Sequence, residues 1–241
     1  MAGKAVHNSH GGESGENAAY WTQDGKINGA VEFKNYSGGV GYFSTSLNDV
    51  FNDTFSISMW ANLHDDTPEI TGTLFSKPYT SYSGPTHQIT ILEVNSPPSI
   101  QATIWRGDTM GSYMSVASQV LTTDEWYHVT VTVDISAPNL TIYINGKEVD
   151  SESTATGSYT NHLTRFSLGY LLNARLAEEF YFYGKIDEFK IFPFVLSPQQ
   201  VRTEYNFGKG IVMGSSSVDS TDHATWSTAS SFCVPGSTDP C

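Results

Sequence analysis

Between Ala30 and Phe192 the chain reads as short alternations of apolar and polar residues, broken at intervals by turn residues. Phe55, Ile57, Met59 and Ala61 alternate with Ser56, Ser58, Trp60 and Asn62. Tyr127, Val129, Val131 and Val133 alternate with His128, Thr130 and Thr132, and Leu140, Ile142 and Ile144 with Thr141 and Tyr143. Successive side chains of a strand point to opposite faces, so a period of two predicts strands with one face turned inward. Gln88–Leu92, Ser99–Trp105, Arg165–Tyr170 and Glu179–Phe192 are further strand candidates. Asn145-Gly146 lies between two such runs. A type I′ turn needs positive φ at both central residues, and Asn-Gly supplies it, so a tight hairpin is predicted here. Many short strands with regular turn signals predict an all-β sandwich or barrel.

One helix interrupts this pattern. Ser197-Pro198-Gln199-Gln200 reads as an N-cap, a proline at the first helical position and a capping-box glutamine. The helix is expected over about Pro198–Phe207, with Gly208 as its stop. The chain thus divides into three parts. Residues 1–29 are polar and Gly-rich and read as loop; residues 30–209 carry the strands; residues 210–241 form a Ser/Thr-rich extension. The extension holds both cysteines, Cys233 and Cys241, whose single possible pairing would close only a short terminal loop.

Composition narrows the function classes. Aromatic residues make up 13% of the chain, enough apolar surface for a packed core. The net charge of -13, with basic residues scattered, argues against nucleic acid as a partner, because phosphate neutralisation needs a basic patch. No run approaches the roughly 20 apolar residues of a spanning helix, so membrane insertion is not expected, and no leader segment is visible at Met1–Lys4.

Several segments, in order, resemble laminin-G-like domains of the concanavalin A-like lectin/glucanase kind. Gly25–Phe33 is similar to the family's G-k-x-G-x-A-l-x-F, and Phe55-Ser56-Ile57-Ser58-Met59-Trp60 to its F-S-I-S-x-W strand. Trp126-Tyr127-His128-Val129 resembles W-x-H-V, and Leu140–Gly146 resembles L-x-L-Y-V-N-G. Phe182–Phe192 is similar to F-x-G-x-I-D-E-v-r-I-y, and Leu196-Ser197 with its helix to the closing segment. The resemblance covers about residues 8–207 and implies a two-sheet antiparallel jelly-roll sandwich with one short C-terminal helix. The family usually opens on an acidic strand that has no match here, so one strand is expected to be missing. The resemblance also implies a structural Ca2+ held by Asp187 and an early loop, mapping onto Asn8 and Gly11. Asn8 stands where the family commonly has Asp. The alternative is that Asp187 hydrogen-bonds the N-terminal loop.

Residue chemistry supplies a second candidate. Sugar rings stack on exposed aromatics and hydrogen-bond to a few placed polar groups. Trp105 at a strand end, beside Arg106 and Asp108, is the best stacking candidate, with Tyr79, Tyr82 and Tyr113 in Gly/Ser-rich loops nearby in sequence. Trp60 and Trp126 fall within strand motifs and are assigned to packing. Catalysis is not expected. Glycoside hydrolysis needs two carboxyls facing one cleft, whereas Asp187 and Glu188 point to opposite faces of an extended strand.

These features predict a non-catalytic adhesion or binding module at a cell, filament or virion surface, outside the cell. Its partners would be glycans or neighbouring surface proteins. One alternative is a structural assembly subunit that self-associates, its extension completing the sheet of its own domain or of a neighbour; a second alternative is a glycoside-active enzyme. On the first alternative, deletion of residues 211–241 abolishes assembly, which sedimentation velocity would show.

Overall fold

The computed structural model describes residues 6–7, 19–33, 43–46, 54–64, 72–78, 87–95, 97–105, 113–134, 136–153, 165–169 and 182–206. In chain order the strands are β1 (Val6–His7), β2 (Tyr20–Thr22), β3 (Ala30–Phe33), β4 (Phe43–Ser46), β5 (Thr54–Leu63), β6 (Gly72–Pro78) and β7 (His87–Asn95). They continue with β8 (Pro98–Trp105), β9 (Tyr113–Ala117), β10 (Trp126–Asp134), β11 (Asn139–Ile144), β12 (Lys147–Glu152), β13 (Arg165–Leu168) and β14 (Gly184–Phe192), followed by helix α1 (Pro198–Tyr205). Two antiparallel sheets result. The first runs β1-β4-β13-β6-β7-β8-β9 and the second β12-β11-β10-β5-β14-β3-β2.

The alternating residues line the space between the sheets, as the pattern predicts. Phe55, Ile57, Met59, Val129, Val131, Val133, Leu140 and Ile142 are fully buried from the second sheet. Ile89, Ile91, Ile100, Ala102, Ile104 and Met114 meet them from the first. Phe75 and Phe166 of the first sheet, 5.5 Å apart, pack on Phe189 of the second with ring centroids at 6.0 and 5.7 Å. Asn145 and Gly146 both have positive φ, at 52° and 76°, as the predicted hairpin turn demands.

The structure corrects several expectations. Residues 1–29 are not all loop, since β1 pairs with β4 and β2 with β3. Strands of two or three residues are too short to show a period, so local pattern could not reveal them. Among the described strands the second sheet has no interior gap: β5 lies between β10 and β14, and β14 pairs onward to β3. Strand β13 ends at Leu168 because Gly169 turns with φ of 77°. The helix is capped by Asn206, two residues before the expected Gly208, while its N-terminal capping box forms as read. Cys233, Cys241 and the extension lie outside the described residues.

One pattern was only half legible. Strands β5 and β10 are buried on both faces: Ser56, Ser58, Trp60, His128, Thr130 and Thr132 are as inaccessible as their apolar neighbours. The outer face of the second sheet is covered by α1 and the segment leading into it. Ser56 Oγ donates to Phe194 O at 2.9 Å and accepts from Leu196 N at 2.9 Å. Leu196 and Val201 then pack with Tyr143 and Phe192.

The sandwich is also tied along one side. Edge strand β9 presents its Ser115 and Ala117 amides to β12, where they donate to Glu152 Oε2 at 2.6 Å and Asp150 Oδ2 at 3.0 Å. Ile142 sits at the centre of the apolar layer, with no exposed surface. Ile142→Ala is expected to cost about 3 kcal/mol by lost burial and the cavity left behind, measured as a shift in urea midpoint.

Candidate functional site

Trp105 and Tyr113 are register partners at the ends of β8 and β9. Their rings lie 4.8 Å apart at 45°. Ile104, Ala102, Met114 and Val116 point into the core, so Trp105 and Tyr113 stand on the outer face of the first sheet. Trp105 is half-buried and Tyr113 is 49% exposed, so the pair forms an aromatic ledge open to solvent. The next outward pair, Thr103 and Ser115, is joined Oγ1 to Oγ at 3.0 Å.

The register continues this row inward. Thr103 pairs with Thr90, Thr90 with Ser76, and Ser76 with Ser167. Hydroxyl side chains thus cross five adjacent strands at one level. Ser167, Ser76 and Thr90 are buried, and accessibility opens only toward Thr103, Ser115 and the aromatic ledge. Of the other expected ligand-binding residues, Tyr79, Tyr82, Arg106 and Asp108 lie outside the described residues. Sequence reading placed Tyr113 in a loop; the structure makes it a strand residue facing Trp105.

Asp187 is buried and performs the hydrogen-bonding role. Its Oδ2 accepts from Ile27 N at 2.8 Å and its Oδ1 from Glu188 N at 2.8 Å. The carboxylate therefore pins the loop before β3 to β14. The strand bulges at this point, with Glu188 at φ of 48° and turned to solvent beside Lys190. Asp187 and Glu188 do diverge, but through this bulge and not through simple alternation. A hard cation calls for several oxygen ligands, of which the described residues include Asp187 alone among those expected. Two N–H donors face the Asp187 oxygens, and among the described residues no group of three His, Cys, Asp or Glu side chains converges. Asn8 and Gly11, the other expected ligands, lie outside the described residues.

A laminin G family model, described as the concanavalin A-like lectin/glucanases superfamily, matches residues 37–202. The chain belongs to this superfamily. No curated protein matches the sequence significantly. Among solved structures, the receptor binding domain of botulinum neurotoxin type G superposes with a TM-score of 0.58 at 19% identity, covering 85% of this chain and 47% of that one. The binding domain of botulinum neurotoxin serotype D gives 0.58 at 17%, covering 84% and 47%. The mosaic serotype C/D receptor binding domain gives 0.59 at 18%, covering 84% and 46%. The chain thus spans about half the length of these structures, and at such identities the likeness is one of fold.

The outer layer of the concanavalin A-like second sheet carries a buried histidine that sequence reading passed over. His128 lies 5.1 Å from the Trp60 ring and 5.9 Å from Tyr205 of α1, and its Nε2 is 3.0 Å from Ser58 Oγ. Burial pulls its pKa down to about 4, helped by the Lys190 charge. No helix among the described residues is long and apolar enough to cross a membrane.

Above the ordinary pKa of 6.5 the His128 ring is neutral in both folded and unfolded chains. Between 6.5 and about 4 the unfolded chain binds the proton and the folded chain does not, so stability falls as pH falls. The loss attributable to His128 reaches about 3 kcal/mol. Urea unfolding at pH 7 and pH 4.5 is expected to show this loss in the native chain and a clearly smaller one in His128→Gln.

Proposed function

We propose that this concanavalin A-like domain is a non-catalytic, surface-displayed binding module that contacts glycans through the Trp105–Tyr113 ledge. The observation that carries the reading is the aromatic pair itself. Two rings in contact, one of them 49% exposed, stand on a strand edge next to a hydrogen-bonded pair of hydroxyls. An aromatic face suits the apolar C–H face of a sugar ring, and flanking hydroxyls suit its rim. A large exposed aromatic held in place by a second ring costs little conformational entropy on binding.

The reading has support in the fold neighbours, which are receptor-binding domains by name. It is supported also by the disposition of the carboxylates. Asp187 is spent on backbone amides and Glu188 on Lys190, which leaves neither to act as acid or base across a glycosidic bond. A role at the outer surface of a cell, filament or virion follows from the same reading, since such ligands are displayed there.

The test is a glycan array probed with the full chain, followed by titration of the best-bound sugar. Trp105→Ala is expected to weaken binding at least about ten-fold, ~1.4 kcal/mol, and Tyr113→Ala several-fold, with circular dichroism unchanged. Equal affinity in native chain and Trp105→Ala would remove the ledge from the binding site.

A further inference from the structure

A cleft of about 620 Å³ opens on the outer face of the second sheet, on the sheet opposite the aromatic ledge. It lies between the Asn145–Gly146 turn with the first residues of β12 and the exposed side of helix α1. Its volume falls within the range of small-molecule sites. Tyr143 and Tyr205 line it, and Asn145 contributes an amide at its rim. The turn residue opposite Tyr205 is Gly146, where an added Cβ would come within 3.2 Å of the tyrosine ring. Lys147 and Glu148 line the hairpin side, and Arg202 the helix side.

The charges of this cleft stand out against the rest of the molecule. Among the described side chains, Lys26 lies over the Trp60 ring, Lys77 is buried in the first sheet, Lys185 pairs with Asp24, and Lys190 pairs with Glu188 and Glu204. The remaining two cations, Lys147 and Arg202, both line this cleft, and neither has an ion-pair partner among the described residues. In a chain of net charge -13, carboxylates are plentiful, so two cations without an ion-pair partner at one concavity mark a place where positive charge outnumbers the single carboxylate of the lining, Glu148. Arg202 offers a planar fork that matches a carboxylate, and Lys147 a mobile point charge. The tyrosine rings and the asparagine amide add what a sugar ring requires.

We propose that this cleft binds a carboxylated sugar, a uronic-acid or similarly acidic saccharide, with its carboxylate between Arg202 and Lys147 and its ring against Tyr205. The proposal is independent of the Trp105–Tyr113 ledge, which offers no cation among the described residues. Glu148 lines the same cleft and opposes an anionic ligand, which makes it a useful probe of the charge argument.

The experiment is isothermal titration of the full chain with tetragalacturonate, with cellotetraose as the neutral counterpart and tetraglutamate as an acidic ligand lacking sugar rings. The expected result is binding of tetragalacturonate that weakens with added salt. It should fall at least ten-fold in the Lys147→Gln, Arg202→Gln double variant and tighten a few-fold in Glu148→Gln. Both cations are exposed, so the double variant should fold, and a native thermal midpoint confirms it. Three results would overturn the proposal: undiminished binding in the double variant, cellotetraose or tetraglutamate binding as tightly as tetragalacturonate, or no binding of tetragalacturonate at all.

Discussion

Strand β5 sits in the middle of the second sheet and is enclosed on both faces, and much else is arranged to satisfy it. Its inward residues contribute to the apolar layer in the ordinary way. Its outward residues, Ser56 and Ser58 among them, are buried and polar, and a buried polar group without a partner costs about 1–3 kcal/mol. The hydrogen bonds available to them decide what can lie above. Ser58 meets His128 and Thr130 of β10. Ser56 holds both Phe194 O and Leu196 N, which fixes the chain one residue before the Ser197 cap. The helix therefore starts where β5 places it, and its far end brings Tyr205 against Gly146 and Arg202 to the hairpin. The geometry of the cleft is set by a serine in the strand below.

What the sequence displayed and what it concealed divide along the reach of each interaction. Alternation in β5, β10 and β11, the Asn-Gly turn and the Ser197–Gln200 capping box are local, and each is readable within ten residues. The polar half of β5 and β10 looked like a solvent face because Ser, Thr and His there say nothing about a helix arriving from about 140 residues later for β5 and about 70 for β10. Val6–His7 and Tyr20–Thr22 escaped because their strand character comes from pairing, not from any pattern of their own.

The candidate sites follow the same rule. Trp105 was visible as an aromatic at a strand end, but its partnership with Tyr113 depends on the β8–β9 register. Lys147 and Arg202 gave no sign in the sequence, since an exposed lysine after a turn and an exposed arginine on a helix are commonplace. Their significance comes from an accounting of every other cation whose side chain is described, which only the folded molecule permits. Asp187 was legible in position, and its two amide partners could be assigned only once the bulge at Glu188 was seen.

The two acidic side chains seated on the β9 amides carry a consequence for how copies of this molecule behave when crowded. An open strand edge is a template on which another chain can stack, and β9 is the edge that bears Tyr113. With Asp150 and Glu152 filling two successive outward amides, an incoming strand would have to displace charge-assisted bonds before gaining its own. Molecules arrayed densely side by side are thereby kept from zipping together along that border, and the aromatic ledge stays free for a visitor of a different kind.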